Sequence, residues 1–171
     1  MAHSNRWDDA AIIALGSNLP GVYPTSRALL EAALKRFPEE GIDVALRSRW
    51  WRSASWPDQA GPDYLNGVAF VETRLSPVEL MTSLLRLEAE FGRSRAVRNG
   101  PRTLDLDLIA YGRVIVDGPD LVLPHPRASL RRFVIGPIAE VAPEWSHPVS
   151  ALMAKDLLDR CTIGLDALAE V

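Results

Sequence analysis

Asp105 and Asp107 stand two residues apart in the run GPRTLDLDLIAYG, residues 100–112. In an extended segment residues i and i+2 point to the same face, about 6.5–7 Å apart at Cα. Two short carboxylates at that spacing can converge on hard cations from one side. They leave coordination positions for water or phosphate oxygens, which is how magnesium is held. Leu104, Leu106, Leu108 and Ala110 occupy the alternate positions and read as a buried face, while Ile109 and Tyr111 continue the face of the aspartates. A face that ends in Ile and Tyr is not a solvated edge, so something must stand opposite the carboxylates.

Basic residues flank the pair. Arg93, Arg95, Arg98 and Arg102 lie between Phe91 and Leu104 with no acidic residue among them. Acidic side chains in a basic surround suit a polyphosphate carried with Mg²⁺, the arginines forking outer oxygens and the aspartates holding metal. Gly92 at one end and Gly100-Pro101 at the other give this segment the composition of a lid that closes over phosphates. LPHPRASLRRF, residues 123–133, adds His125, Arg127, Arg131, Arg132 and Phe133 as a second phosphate clamp. In RSASWPDQAGPDYLN, residues 52–66, Trp56 sits in a loop and Tyr64 and Asn66 share a strand face. One flat ring beside one amide with a paired donor and acceptor suits a planar heterocycle with amide-like edges.

These residues need elements to hold them. Strand patterning covers residues 10–15, 42–51, 64–72 and 104–110, with a shorter extended piece at 114–116. Helical spacing covers 24–37 and, most clearly, 76–91, where Ser76, Pro77 and Glu79 form a capping box and Leu80, Leu84, Leu87 and Phe91 one stripe. Further helices are expected at 133–141 and 149–158. The order strand–helix–strand–strand–helix–strand is that of the split βαβ arrangement. The expected fold is therefore α+β: a ferredoxin-like βαββαβ core with an additional C-terminal strand and helices, one domain over residues 1–171 with a loose N-terminus at 1–9.

Bulk composition narrows the partners. A net charge of −3 and a pI of about 5.6 argue against general binding to nucleic acid or membrane surfaces. Cys161, the single cysteine, excludes an internal disulfide and reads as a buried small hydrophobe in a helical tail. The apolar run AAIIAL is too short for a signal peptide or a membrane span, so a cytoplasmic location is expected. Neither a GxxxxGK[ST] loop nor a GxGxxG fingerprint occurs.

Five segments together resemble one family, the 6-hydroxymethyl-7,8-dihydropterin pyrophosphokinases of folate biosynthesis. They are ALGSNL (14–19), PDYLN (62–66), LEAEFGR (87–93), GPRTLDLDLIAYG and LPHPRASLRRF, in the family's order and spacing up to about residue 148. The resemblance implies a ferredoxin-like core that transfers the β,γ-pyrophosphoryl group of ATP to the pterin hydroxymethyl group and releases AMP. It implies that Asp105 and Asp107 bind two Mg²⁺, and that Arg93, Arg95, Arg102, His125 and Arg131 contact the triphosphate, with Arg93 and Arg102 also catalytic. Tyr64 and Phe133 would sandwich the pterin, Asn66 would bond its edge, Ser53, Ala54 and Trp56 would finish the pocket, and Glu88 would have a supporting role. The chain departs from the family's habit at Asn99, where a tryptophan is frequent, at Ala96, where some lids have a lysine, and at Pro126, where a tyrosine is common. The loop at 93–102 is one residue shorter than in some members, and SASWP replaces a proline- and glycine-rich run. A monomer with small-molecule substrates is expected. Two other readings use the same residues: another Mg²⁺-dependent nucleotidyltransferase, or a non-catalytic ATP-binding module.

Overall fold

The computed structural model describes residues 5–55, 57, 60–92 and 103–171. In chain order the elements are β1 (Ala11–Ser17), α1 (Ser26–Arg36), β2 (Ile42–Arg47), β3 (Trp51–Ser53), β4 (Tyr64–Thr73), α2 (Pro77–Glu90), β5 (Asp105–Tyr111), β6 (Val116–Asp117), β7 (Val122–Leu123), α3 (Arg132–Val141), α4 (Ala154–Leu158) and β8 (Leu168–Ala169). The main sheet runs β5-β1-β4-β3-β8, with β2 also pairing with β4, and β6 and β7 form a separate hairpin. β1 pairs antiparallel with β4 and β5, and β4 with β2 and β3. That is the expected ferredoxin-like core, with β4 in the third strand position and β5 in the fourth.

β1 is central because nearly every residue of AIIALGS can be buried on either face. Its Ala11, Ile13 and Leu15 meet Leu29, Leu30 and Ala33 of α1 and Leu80, Leu84 and Leu87 of α2, together with Leu106 and Leu108 of β5. The opposite face, with Ile12, Val68 and Phe70, is covered by Val134, Ile135 and Ile138 of α3, by Trp145, and by Leu157 of α4. Each such leucine or isoleucine stabilises the fold by about 1.5–3 kcal/mol through burial. The capping box of α2 forms as read: Ser76 Oγ accepts from the Glu79 N–H and Glu79 Oε2 accepts from the Ser76 N–H.

Four expectations need correction. The extended run 42–51 is not continuous; it breaks at residues 48–50, where Ser48 Oγ accepts the Val68 N–H and the strand changes register along β4. The helix expected at 149–158 shrinks to Ala154–Leu158, and Cys161 lies past its end in an irregular stretch. The Cys161 thiol is buried as expected, and burial pushes its pKa up to about 11. Residues 5–9 are not loose: Trp7 packs edge-on to Phe70 at 5.4 Å, and the Asp8 carboxylate accepts the Ser146 N–H at 3.1 Å.

The fourth correction concerns β5. Pairing with β1 runs Leu106 opposite Leu15, Asp107 opposite Ala14 and Leu108 opposite Ile13, then skips to Ala110 opposite Ile12. Ile109 is the extra residue of a bulge. Ile109 and Ala110 consequently both pack on the α3 face, and Tyr111 returns to the leucine face. Simple alternation put Ala110 with the leucines and Tyr111 with the aspartates. The bulge reverses both.

Candidate active site

The aspartate face of β5 is the side on which α3 lies. Asp105 sits opposite Gly16 and Asp107 opposite Ala14, the two smallest side-chain positions near this end of β1. A Cβ at Gly16 would sit in ordinary contact with Asn66 Oδ1, at 3.4 Å, so the glycine widens the junction of β1 and β4 by one methyl group. The result is a cavity of about 370 Å³ at one end of the sheet. Asp105, Asp107, His125, Arg127 and Arg131 line it, together with Ser53, Ala54, Tyr64, Asn66 and Phe133. Residues read separately as metal, phosphate and heterocycle candidates therefore share one cavity. Arg93, Arg95, Arg102 and Trp56 lie outside the described residues.

Glu88 holds the aspartate strand. It is one of the few buried charged residues, and its Oε1 accepts the Leu106 N–H at 2.7 Å. Leu106 lies between the two aspartates, so α2 sets the height of β5 through one charge-assisted bond.

His125 is set by backbone on both sides. Its N–H donates to Ile109 O, the carbonyl at the bulge, at 2.8 Å, and its Nδ1 accepts the Arg127 N–H at 3.2 Å. An accepting Nδ1 leaves Nε2 to carry the proton of the neutral ring. Burial, then the Arg131 and Arg127 guanidinium groups, push the His125 pKa down to about 4, against a smaller opposite pull from Asp105. At neutral pH the His125 ring is thus neutral, with the proton on Nε2. The sign of the linkage follows: between pH 6.5 and about 4 the unfolded chain binds a proton at His125 that the folded chain does not. Stability falls as pH drops through that window, by at most about 1.4 kcal/mol per pH unit from this one group. His125→Gln is expected to flatten the melting temperature against pH between 6.5 and 4, measured without metal or nucleotide. An identical pH profile in both proteins would refute the assignment.

At the other end of the cavity, Asn66 is buried and its Nδ2 donates to Ser53 Oγ at 3.0 Å and to Trp51 O at 3.4 Å. Its amide orientation is thereby fixed, and β3 is tied to β4 beside the cavity. Phe133 is the second residue of α3, with the Arg131 guanidinium 5.8 Å from its ring centre. Trp51 Nε1 donates to Glu140 Oε2 at 2.6 Å, which fastens α3 to β3.

With that arrangement in place, comparison with known proteins is decisive. The family model described as 7,8-dihydro-6-hydroxymethylpterin-pyrophosphokinase matches residues 12–143. The chain belongs to that family. A 2-amino-4-hydroxy-6-hydroxymethyldihydropteridine pyrophosphokinase from a Synechocystis species is 42% identical over 156 residues, covering 89% of this chain and 77% of the relative. The Haemophilus influenzae protein of the same name is 40% identical over 146 residues, covering 85% of this chain and 89% of the relative. Among solved structures, Plasmodium falciparum HPPK-DHPS with pteroate superposes with a TM-score of 0.69 at 10% identity, over 88% of this chain. The present chain spans 42% of that longer one, and the likeness establishes the shared fold.

For a member of the pyrophosphokinase family, the cavity sorts the expected residues cleanly. All the described residues that the resemblance implied as metal, phosphate or pterin contacts line it, and Glu88 stands behind it. Sequence reasoning missed three features. Arg132, counted in the same clamp as Arg127 and Arg131, turns away from the cavity that those two line and donates from Nε to Ala167 O at 3.2 Å. Ala14 and Gly16 form the floor opposite the aspartates, a role visible only once the register of β1 and β5 is known. The segment after α4 reaches the cavity walls, though nothing in its spacing signalled it. Among the described residues no group of three or more metal-ligating side chains occurs, and no helix is long and apolar enough to cross a membrane.

Proposed function

We propose that this cavity is where the family's reaction takes place. The chain transfers the pyrophosphoryl group of ATP to the hydroxymethyl group of 6-hydroxymethyl-7,8-dihydropterin, a step of folate biosynthesis. The main support is the meeting, in one cavity, of a paired-carboxylate strand, an anion-binding wall and an aromatic-and-amide wall.

Asp105 and Asp107 are suited to Mg²⁺ because two carboxylates on a half-buried strand leave most of the coordination sphere to phosphate oxygens and water. We assign two Mg²⁺ to them; the ions supply neutralisation of the triphosphate as its charge shifts. Arg131 and the neutral His125 take outer phosphate oxygens, with Arg93, Arg95 and Arg102, just before β5 in sequence, adding the remaining basic contacts. Tyr64 and Phe133 stack on the pterin, Asn66 bonds its amide-like edge, and Ser53, Ala54 and Trp56 close that side. The pterin hydroxymethyl oxygen releases its proton to solvent as it bonds to the β-phosphorus, the bond from that phosphorus to the α,β-bridging oxygen breaks, and AMP leaves. The protein's share is alignment of the attacking oxygen with that bond and fixed charge around it. The enzyme works as a cytoplasmic single-domain monomer on small molecules, without nucleic acid.

Incubation with ATP, Mg²⁺ and the reduced hydroxymethylpterin is expected to yield AMP and the pterin diphosphate. A nucleotidyltransferase would instead leave a nucleotidyl product and free pyrophosphate, and a binding module would leave ATP intact. Absence of pterin-dependent AMP would reject the assignment.

A further inference from the structure

The family match ends at residue 143, yet residues 161–170 join the two walls of the pterin end of the cavity. On one side, Ile163 forms a parallel bridge with Arg131, and its carbonyl accepts the Arg132 N–H at 2.9 Å. That N–H is one of the orphan donors at the start of α3, so this segment caps the helix that carries Phe133 in its first turn. Thr162 and Ile163 N–H groups both donate to Leu130 O, at 2.9 and 3.0 Å. Gly164 lies directly behind Phe133: a Cβ there would fall 2.5 Å from Phe133 Cδ1, and the residue's φ of +66° is in the left-handed region. On the other side, Asp166 Oδ2 accepts the Ala54 N–H at 2.6 Å. β8 then pairs with β3, Ala169 with Trp51 and Leu168 with Arg52, and the Glu170 carboxylate accepts from both Arg27 and Arg52.

Two walls carried by different elements, β3 and α3, are thus set at a fixed distance by ten residues that touch neither aspartate. We infer that this segment is a brace for the pterin half of the site and that Asp166 is a positioning residue for the Ser53–Ala54 wall. The inference rests on the proposed function, because it needs the pterin to lie between that wall and Phe133. Asp166 acts through the Ala54 backbone. Its loss loosens the pterin side and leaves the aspartate, His125 and Arg131 side untouched.

The test is steady-state kinetics on the full chain, varying each substrate separately. Asp166→Ala is expected to raise the pterin KM about tenfold, with kcat and the ATP KM within about twofold of wild type, whereas Asp166→Asn, which keeps an acceptor, restores the pterin KM to within about threefold. Gly164→Ala supplies a second route, since its methyl displaces Phe133 from the other wall; it too is expected to raise the pterin KM selectively. An unchanged pterin KM in both alanine variants would overturn the brace. So would a parallel rise in both KM values with no rescue by Asp166→Asn, the pattern of general unfolding. A wild type that makes no pterin-dependent AMP would overturn the functional reading and this inference with it; a normally active wild type beside indifferent variants would overturn this inference alone.

Discussion

Asp107→Ala is expected to lower kcat by about a thousandfold or more while the protein stays folded, because it removes half of the proposed metal-binding pair. The stability side of this prediction is equally specific. No main-chain hydrogen bond of β5 depends on the Asp107 side chain, and Ala14 opposite it makes no demand on its shape. The variant should therefore still unfold as a folded protein does, in one cooperative transition, in metal-free buffer. Added Mg²⁺ with an ATP analogue should raise the melting temperature of the wild type and not of the variant. Thermal scans with and without Mg²⁺, beside an AMP assay, measure all of this. A folded Asp107→Ala protein with near-normal turnover would refute the metal role. A variant that fails to fold would show instead that the carboxylate is structural.

The residues of this site were legible in sequence to different degrees, for physical reasons that can be named. The direction of Asp105 and Asp107 followed from alternation alone, since Leu104, Leu106 and Leu108 have only one face to bury. The bulge two residues later was not legible. It arises where β1 and β5 fall out of step at Ile12 and Ile13, and a strand read alone carries no record of its partner. That bulge matters to the site, because Ile109 O is the acceptor that holds His125. The arginines of LPHPRASLRRF looked equivalent in sequence. Only the start of α3 separates Arg131, facing the cavity, from Arg132, facing residues 163–167.

The stretch 161–170 was the least legible part. Its strand is two residues long, too short for any period, and most of its bonds run from backbone to backbone over long sequence distances. Backbone groups are the same at every residue, so such contacts leave no mark on composition. Glu88 is legible in the helix pattern itself. It follows Leu80, Leu84 and Leu87 at helical spacing and falls on their buried stripe. A carboxylate on an apolar stripe implies a buried donor waiting for it.

That donor, the Leu106 N–H, gives the other large effect. Glu88→Ala removes its acceptor in a region from which water is excluded, and an unpaired buried N–H costs about 1–3 kcal/mol. The deleted methylenes add to this by leaving a cavity beside Leu84 and Leu87. For a chain of this size each kcal/mol is worth roughly 2–4 °C, so a fall of about 5–10 °C in melting temperature is expected. Activity should fall as well, for a geometric reason. Leu106 lies between Asp105 and Asp107, so a shift of its peptide carries both carboxylates with it, and a displacement near 1 Å can cost about a hundredfold in rate. Glu88→Gln separates the two contributions. It keeps an acceptor oxygen and the length of the side chain, so it should hold β5 in place, melt within a few degrees of wild type and retain most of its turnover. Circular dichroism melts and the AMP assay on the two variants decide the matter. If Glu88→Ala matches wild type in both, α2 does not set the position of the aspartate strand. If Glu88→Gln is as inactive as Glu88→Ala yet melts normally, the charge of Glu88 acts on the chemistry directly and not through Leu106.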